Sequence, residues 1–96
     1  MNIFLEKFGT TLISRQSGRE AFSAFKPLLN NLGATEDITI DFKGVITFSP
    51  SWGDEFLRPL IEGYKNKVVL KNTENLSVKA TLEILEKIGD MKFNTL

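Results

Sequence analysis

Ile40-Asp41-Phe42-Lys43-Gly44-Val45-Ile46-Thr47-Phe48-Ser49-Pro50-Ser51-Trp52-Gly53-Asp54-Glu55-Phe56 is the stretch on which the reading of this chain turns. An apolar run, Ile38 to Phe42, alternates bulky residues as a strand does and carries an acid near its end. Lys43-Gly44 is a turn signal, and Val45 to Phe48 continues extended. Ser49-Pro50 then opens a helix. A serine is a good N-cap, and proline at the first helical position loses only an N–H that had no partner. Phe56, Leu57, Leu60, Ile61 and Tyr64 recur at helical spacing and form its apolar stripe. A strand followed directly by an amphipathic helix is the repeating unit of an α/β fold.

Working outward, Lys67 to Leu70 predicts a further strand, whose Val68-Val69-Leu70 run suits a strand covered on both faces. Asn75 to Ile88 predicts a last helix with Leu76, Ala80, Leu82, Leu85 and Ile88 inward, ended by Gly89. Upstream, Asn2 to Glu6 and Thr10 to Ser14 are rich in strand formers. They flank Lys7-Phe8-Gly9, which reads as the turn of a hairpin. Ala21, Phe22, Phe25, Leu28, Leu29 and Leu32 predict a helix over 17–32, with a capping box at Ser17 and Glu20, a kink at Pro27 and Gly33 as its left-handed terminator. The order is ββαβαβα. Parallel crossovers plus the antiparallel hairpin give a small mixed four-stranded sheet in a single domain spanning 1–96.

Composition narrows the function. Twelve basic residues balance twelve acidic ones, so the chain lacks the footprint of a general nucleic-acid binder. There is no cysteine and no histidine. Disulfides, thiolate zinc sites, cysteine nucleophiles and the usual neutral-pH base are therefore absent. No apolar run reaches the ~18 residues of a membrane span. The start, Met1-Asn2-Ile3-Phe4-Leu5-Glu6, lacks the basic, long-apolar pattern of a signal peptide. The expectation is a small soluble cytoplasmic domain with no metal or other cofactor. Charge is unevenly spread: residues 31–64 carry Lys43 and Arg58 against six acids, and both flanks are mildly basic.

The segment Asp41-Phe42-Lys43-Gly44-Val45 followed by Ser49-Pro50-Ser51-Trp52-Gly53-Asp54-Glu55-Phe56 resembles the signature of the STAS-like domains of unknown function. These are relatives of the sulphate-transporter and anti-sigma-factor-antagonist fold. Leu12-Ile13-Ser14-Arg15-Gln16-Ser17-Gly18-Arg19 and Val69-Leu70-Lys71-Asn72 fit the same pattern in order. The resemblance implies a compact mixed sheet with helices mainly on one face. It also implies a bacterial regulatory domain that docks on a histidine-kinase-like ATPase. The serine that such a kinase phosphorylates falls at Ser51, here flanked by Pro50 and Trp52 in place of small residues.

As residues alone, Ser49 and Ser51 read as capping hydroxyls, and Asp54 and Glu55 as acids that complement the helix dipole. Trp52 reads either as core with Phe48 and Phe56 or as an exposed interface anchor. Arg15, Gly18 and Arg19 form either an anion-binding corner or a solvated cap. Asp41, Asp54 and Glu55 are acids without the repeated spacing of a calcium loop. The function expected is a non-enzymatic interaction module docking through Ser49, Ser51, Trp52, Asp54 and Glu55. The alternative is a small-ligand sensor for an anion or nucleotide on the same loop. An enzyme ranks last, since no acid–base pair is arranged in the sequence.

Overall fold

In the computed structural model, which describes all 96 residues, the chain runs β1 (Asn2–Phe4), β2 (Thr11–Leu12), α1 (Arg15–Phe25), β3 (Ile38–Asp41), β4 (Thr47–Phe48), α2 (Pro50–Tyr64), β5 (Val68–Lys71), α3 (Leu76–Lys87) and β6 (Asn94–Thr95). Four strands form one sheet in the order β1-β3-β5-β6, and β2 and β4 pair separately. The α/β class and the four-stranded sheet agree with the sequence reading.

Every strand pair is parallel. The expected N-terminal hairpin, and with it the antiparallel part of the sheet, is therefore corrected. Leu5 and Phe8 decide this. Instead of continuing the strand, Leu5–Phe8 coils into a 3-10 turn that buries Leu5 completely and sets Phe8 against Trp52 and Phe56. Gly9, at φ 127°, then redirects the chain. β2 consequently leaves the main sheet and pairs with β4, joined by Leu12↔Phe48. The last strand, β6, was not anticipated: two exposed polar residues carry no strand signal.

In the main sheet Ile3, Ile40 and Leu70 lie in register, as do Ile38 and Val68. All five are buried. Their neighbours Thr39 and Val69 are only partly covered, and Phe4 and Lys71 are exposed. The helices thus cover one face, and β5 is not enclosed on both sides as its apolar run suggested.

The helix at 17–32 is shorter and starts earlier. Ser14, not Ser17, is its cap, the Ser14 hydroxyl accepting from Ser17 N at 3.0 Å. α1 ends at Phe25 and tightens into a 3-10 turn, Lys26–Asn31. Pro27 has no N–H with which to continue the α ladder. Gly33 is not a left-handed terminator; its N–H donates to Glu36 Oε1 at 3.0 Å. The start of α2 is as expected, with Ser49 the cap and Pro50 first.

In α3 the inward residues are Val78, Thr81, Leu82 and Leu85. Leu76, Ala80 and Ile88 point outward, correcting the expected stripe. Polar bonding sets this rotation. Ser77 Oγ accepts from Phe48 N at 2.9 Å, and both Ser77 Oγ and Thr81 Oγ1 donate to Phe48 O, at 3.1 and 2.6 Å. The hydroxyls satisfy the free edge of β4, which would otherwise bury unpaired backbone groups.

Candidate functional site

The loop into α2 is built from β4 outward. Ser49 N donates to Leu12 O at 3.0 Å, extending the β2–β4 ladder by one residue. Ser49 Oγ accepts from Trp52 N at 3.3 Å and donates to Ile13 O at 2.7 Å. Both capacities of that hydroxyl serve the fold. Trp52 is 1% exposed and stacks on Phe56 at 4.9 Å, so it belongs to the core rather than to a partner-facing surface.

Gly18 is buried against the same tryptophan. A Cβ there would lie 2.7 Å from Trp52 O, so Gly18 is the crossing point of α1 on α2 and not part of an anion corner. This close approach brings the first turns of the two helices side by side, and their charges meet. Arg15 Nη1 reaches Asp54 Oδ2 at 2.9 Å and Glu55 Oε1 at 3.4 Å. Arg19 Nη2 reaches Glu55 Oε1 at 3.3 Å, and Arg58 Nε donates to Asp54 Oδ1 at 2.6 Å. Both oxygens of Asp54 are thus held by guanidinium groups. Arg15 and Arg19, expected beside an external anion, face the chain's own carboxylates.

Arg15 first, then Arg58, holds the Asp54 carboxyl below the usual carboxylate range, and Asp54 in turn raises the Arg15 guanidinium. A carboxyl lowered in the folded state stabilises at neutral pH and loses that contribution as pH falls through its folded value. Urea midpoints should therefore fall for the wild type below about pH 4, and fall less for Asp54→Asn, which has no charge to lose. Parallel pH profiles for the two proteins would show that the network contributes nothing.

Ser51 borders this network without bonding to it. It is half-buried in the first turn of α2 and lines a shallow groove of about 270 Å³ with Arg15, Asp54, Arg58, Ile84 and Ile88. Arg58 was overlooked in the sequence, although its four-residue spacing from Asp54 is a helical ion-pair signal. Asp41 lies elsewhere, accepting from Lys43 N at 2.9 Å and Asn72 Nδ2 at 2.8 Å. It does not join Asp54 and Glu55, and no trio of metal-ligating side chains converges anywhere in the chain. No helix is long and apolar enough to cross a membrane.

The arrangement defines a parallel α/β domain whose first two helices are clamped by an Arg–carboxylate network beside one partly open serine. No protein-family model, curated protein or solved structure matches the chain.

Proposed function

We propose that this chain is a non-enzymatic regulatory interaction module, similar in action to an anti-sigma-factor antagonist and switched by phosphorylation of Ser51. The observation that supports the reading is the shared groove: Ser51 lies with Arg15 and Arg58, the two cations that hold Asp54. Asp54 and Glu55 alone would repel a phosphate. With two guanidinium groups alongside, a phosphate instead competes with Asp54 for them, and the charge pattern at the start of α2 is rearranged. The docking surface is the half-buried cap and first turn of α2, Ser49 to Ser51 with Asp54, with Trp52 supporting it from beneath. The resemblance supplies the partner class, a histidine-kinase-like ATPase in a bacterial cytoplasm. The sensor alternative has less support, because a free anion would have to displace Asp54 and Glu55 from the arginines without the covalent tether that keeps a Ser51 phosphate beside them.

Phosphopeptide mapping of the chain purified from its native cell, with whatever ATPase is recovered on it, is the direct test. Titration calorimetry against that partner should show Ser51→Asp binding at least tenfold more weakly, about 1.4 kcal/mol. The added carboxylate competes with Asp54 for Arg15 and Arg58, and a partner surface that accommodates a neutral hydroxyl would be left facing one more acid at the start of α2. Ser51→Ala should bind like the wild type. An unchanged affinity in Ser51→Asp, with circular dichroism confirming the fold, removes the loop from the interface.

A further inference from the structure

The largest cavity, about 430 Å³, opens between the last turns of α2 and the segment that follows α3. That volume falls within the roughly 300–1,000 Å³ of small-molecule sites. Half-buried Ile61 and buried Met91 give it an apolar lining, and Arg58, Glu62, Lys65, Asp90 and Lys92 supply its charges. Glu62, Lys65, Asp90 and Lys92 make no ion pair within the chain. Lys65, at φ 25° and ψ −102°, holds a backbone conformation that residues with a side chain rarely adopt. Local strain of this kind gathers at ligand sites.

We infer that this cavity binds a free α-amino acid with an apolar side chain. Arg58 is the anchor. Its Nε donates to Asp54 Oδ1 at 2.6 Å, while its two Nη groups donate to nothing within the chain. Gly89 makes room for the guanidinium, since a Cβ there would lie 2.9 Å from Nη2. The group is thus fixed before a ligand arrives, and its free Nη edge matches the two oxygens of a carboxylate. The bond to Asp54 does not have to break.

The acids select the rest of the ligand. Glu62 follows Arg58 by four residues, so the two share a helical face, with α-carbons about 6 Å apart along the axis. They do not pair, because Arg58 turns back toward Asp54. A cation and an acid one turn apart suit the carboxylate and the ammonium of an α-amino acid, which are joined through a single carbon. Asp90 keeps the other wall acidic. Glu62 and Asp90 oppose a phosphate ester or any polyanion. Arg58, Lys65 and Lys92 oppose an amine that brings no carboxylate. Ile61 and Met91 leave the ligand's side chain an apolar surface, and a methionine adapts to its shape. Arg58 borders the Ser51 groove as well, but the amino acid needs neither phosphorylation nor the docking partner proposed above.

Titration calorimetry of the full chain against leucine, methionine and phenylalanine tests the inference. At least one should bind with a Kd below about 1 mM. The amide of that amino acid lacks the carboxylate and its N-acetyl derivative lacks the ammonium, and each should bind at least about tenfold more weakly. Arg58→Gln and Glu62→Gln should also each weaken binding at least about tenfold. Arg58 supports Asp54, so circular dichroism accompanies that variant. Glu62 is exposed and unpaired, so its replacement leaves the fold intact and remains informative if Arg58→Gln melts early. In Glu62→Gln the preference for the free amino acid over its N-acetyl form should also shrink, which a general loss of structure would not produce. A Kd above about 1 mM for all three amino acids, an amide or N-acetyl form that binds as well as the amino acid, or an affinity unmoved by Glu62→Gln overturns the inference.

Discussion

Trp52→Ala should lower the free energy of unfolding by about 3–5 kcal/mol, the range for removing a large buried aromatic side chain. That is a large part of the roughly 5–15 kcal/mol that holds a domain of this kind together. The indole stacks on Phe56 at 4.9 Å and an interplanar angle of 23°, meets Phe48 edge-on at 5.9 Å, and approaches Phe8 at 6.3 Å. Phe25 and Phe22 extend the same cluster through Phe56. Removing Trp52 leaves a cavity at the junction of β4, α1 and α2, lined by rings too large to collapse into it. Ser51→Ala, one residue away, should change stability by less than about 0.5 kcal/mol, because the Ser51 side chain neither caps nor fills. Urea melts followed by far-ultraviolet circular dichroism compare the two without relying on the lost fluorophore. Equal midpoints would place Trp52 outside the core and return it to the surface as an interface anchor.

The second large effect concerns Gly18. An alanine Cβ there would lie 2.7 Å from Trp52 O and 3.0 Å from Trp52 Cα, and neither backbone atom can move without shifting α2. Alanine is the better helix former by about 1 kcal/mol, so the local preference favours the substitution. Overpacking opposes it, typically by 1–3 kcal/mol and occasionally more. We expect the clash to prevail: Gly18→Ala should destabilise, and Gly18→Val should do so severely by parting α1 from α2. Gly63, in the last turn of α2, is the control, since nothing lies within 4 Å of its added Cβ. Gly63→Ala should stabilise by about 0.4–1 kcal/mol. The same substitution in two helices would then act with opposite sign. Urea midpoints that rise for both would show that helix propensity, not the close crossing, governs position 18. Separating the helices also pulls Arg15 and Arg19 from Asp54 and Glu55, so Gly18→Val should reduce the acid sensitivity assigned to Asp54.

The start of α2 was legible because every signal there is local. Ser49 caps a helix whose first residue is Pro50, and both act within one turn. The Ile38-Thr39-Ile40 alternation gave the central strand and its buried face, since side-chain direction follows from the period of the strand alone. The Ser49–Glu55 loop could therefore be picked out as a candidate site. Its internal wiring could not. Arg15 and Asp54 are 39 residues apart, and only the Gly18–Trp52 crossing brings them together. Once it does, the apparent anion corner at Arg15 and Arg19 becomes one side of an ion-pair network.

The residues by themselves determined the α/β class, the order of strands and helices from β1 to α3, and most of what lies inside, because periodicity and capping are properties of neighbouring residues. Tertiary structure alone decided how strands pair. The alternation in Asn2–Glu6 serves a hairpin or a parallel edge equally well, and the burial of Leu5 together with the packing of Phe8 against α2 selected the second. It also decided the rotation of α3. Leu76, Ala80 and Ile88 were as apolar as Val78, Leu82 and Leu85, so hydrophobicity could not rank the two faces. The unpaired backbone edge of Phe48 could, because it required the hydroxyls of Ser77 and Thr81 to face inward, and that turned the other apolar ridge to the outside.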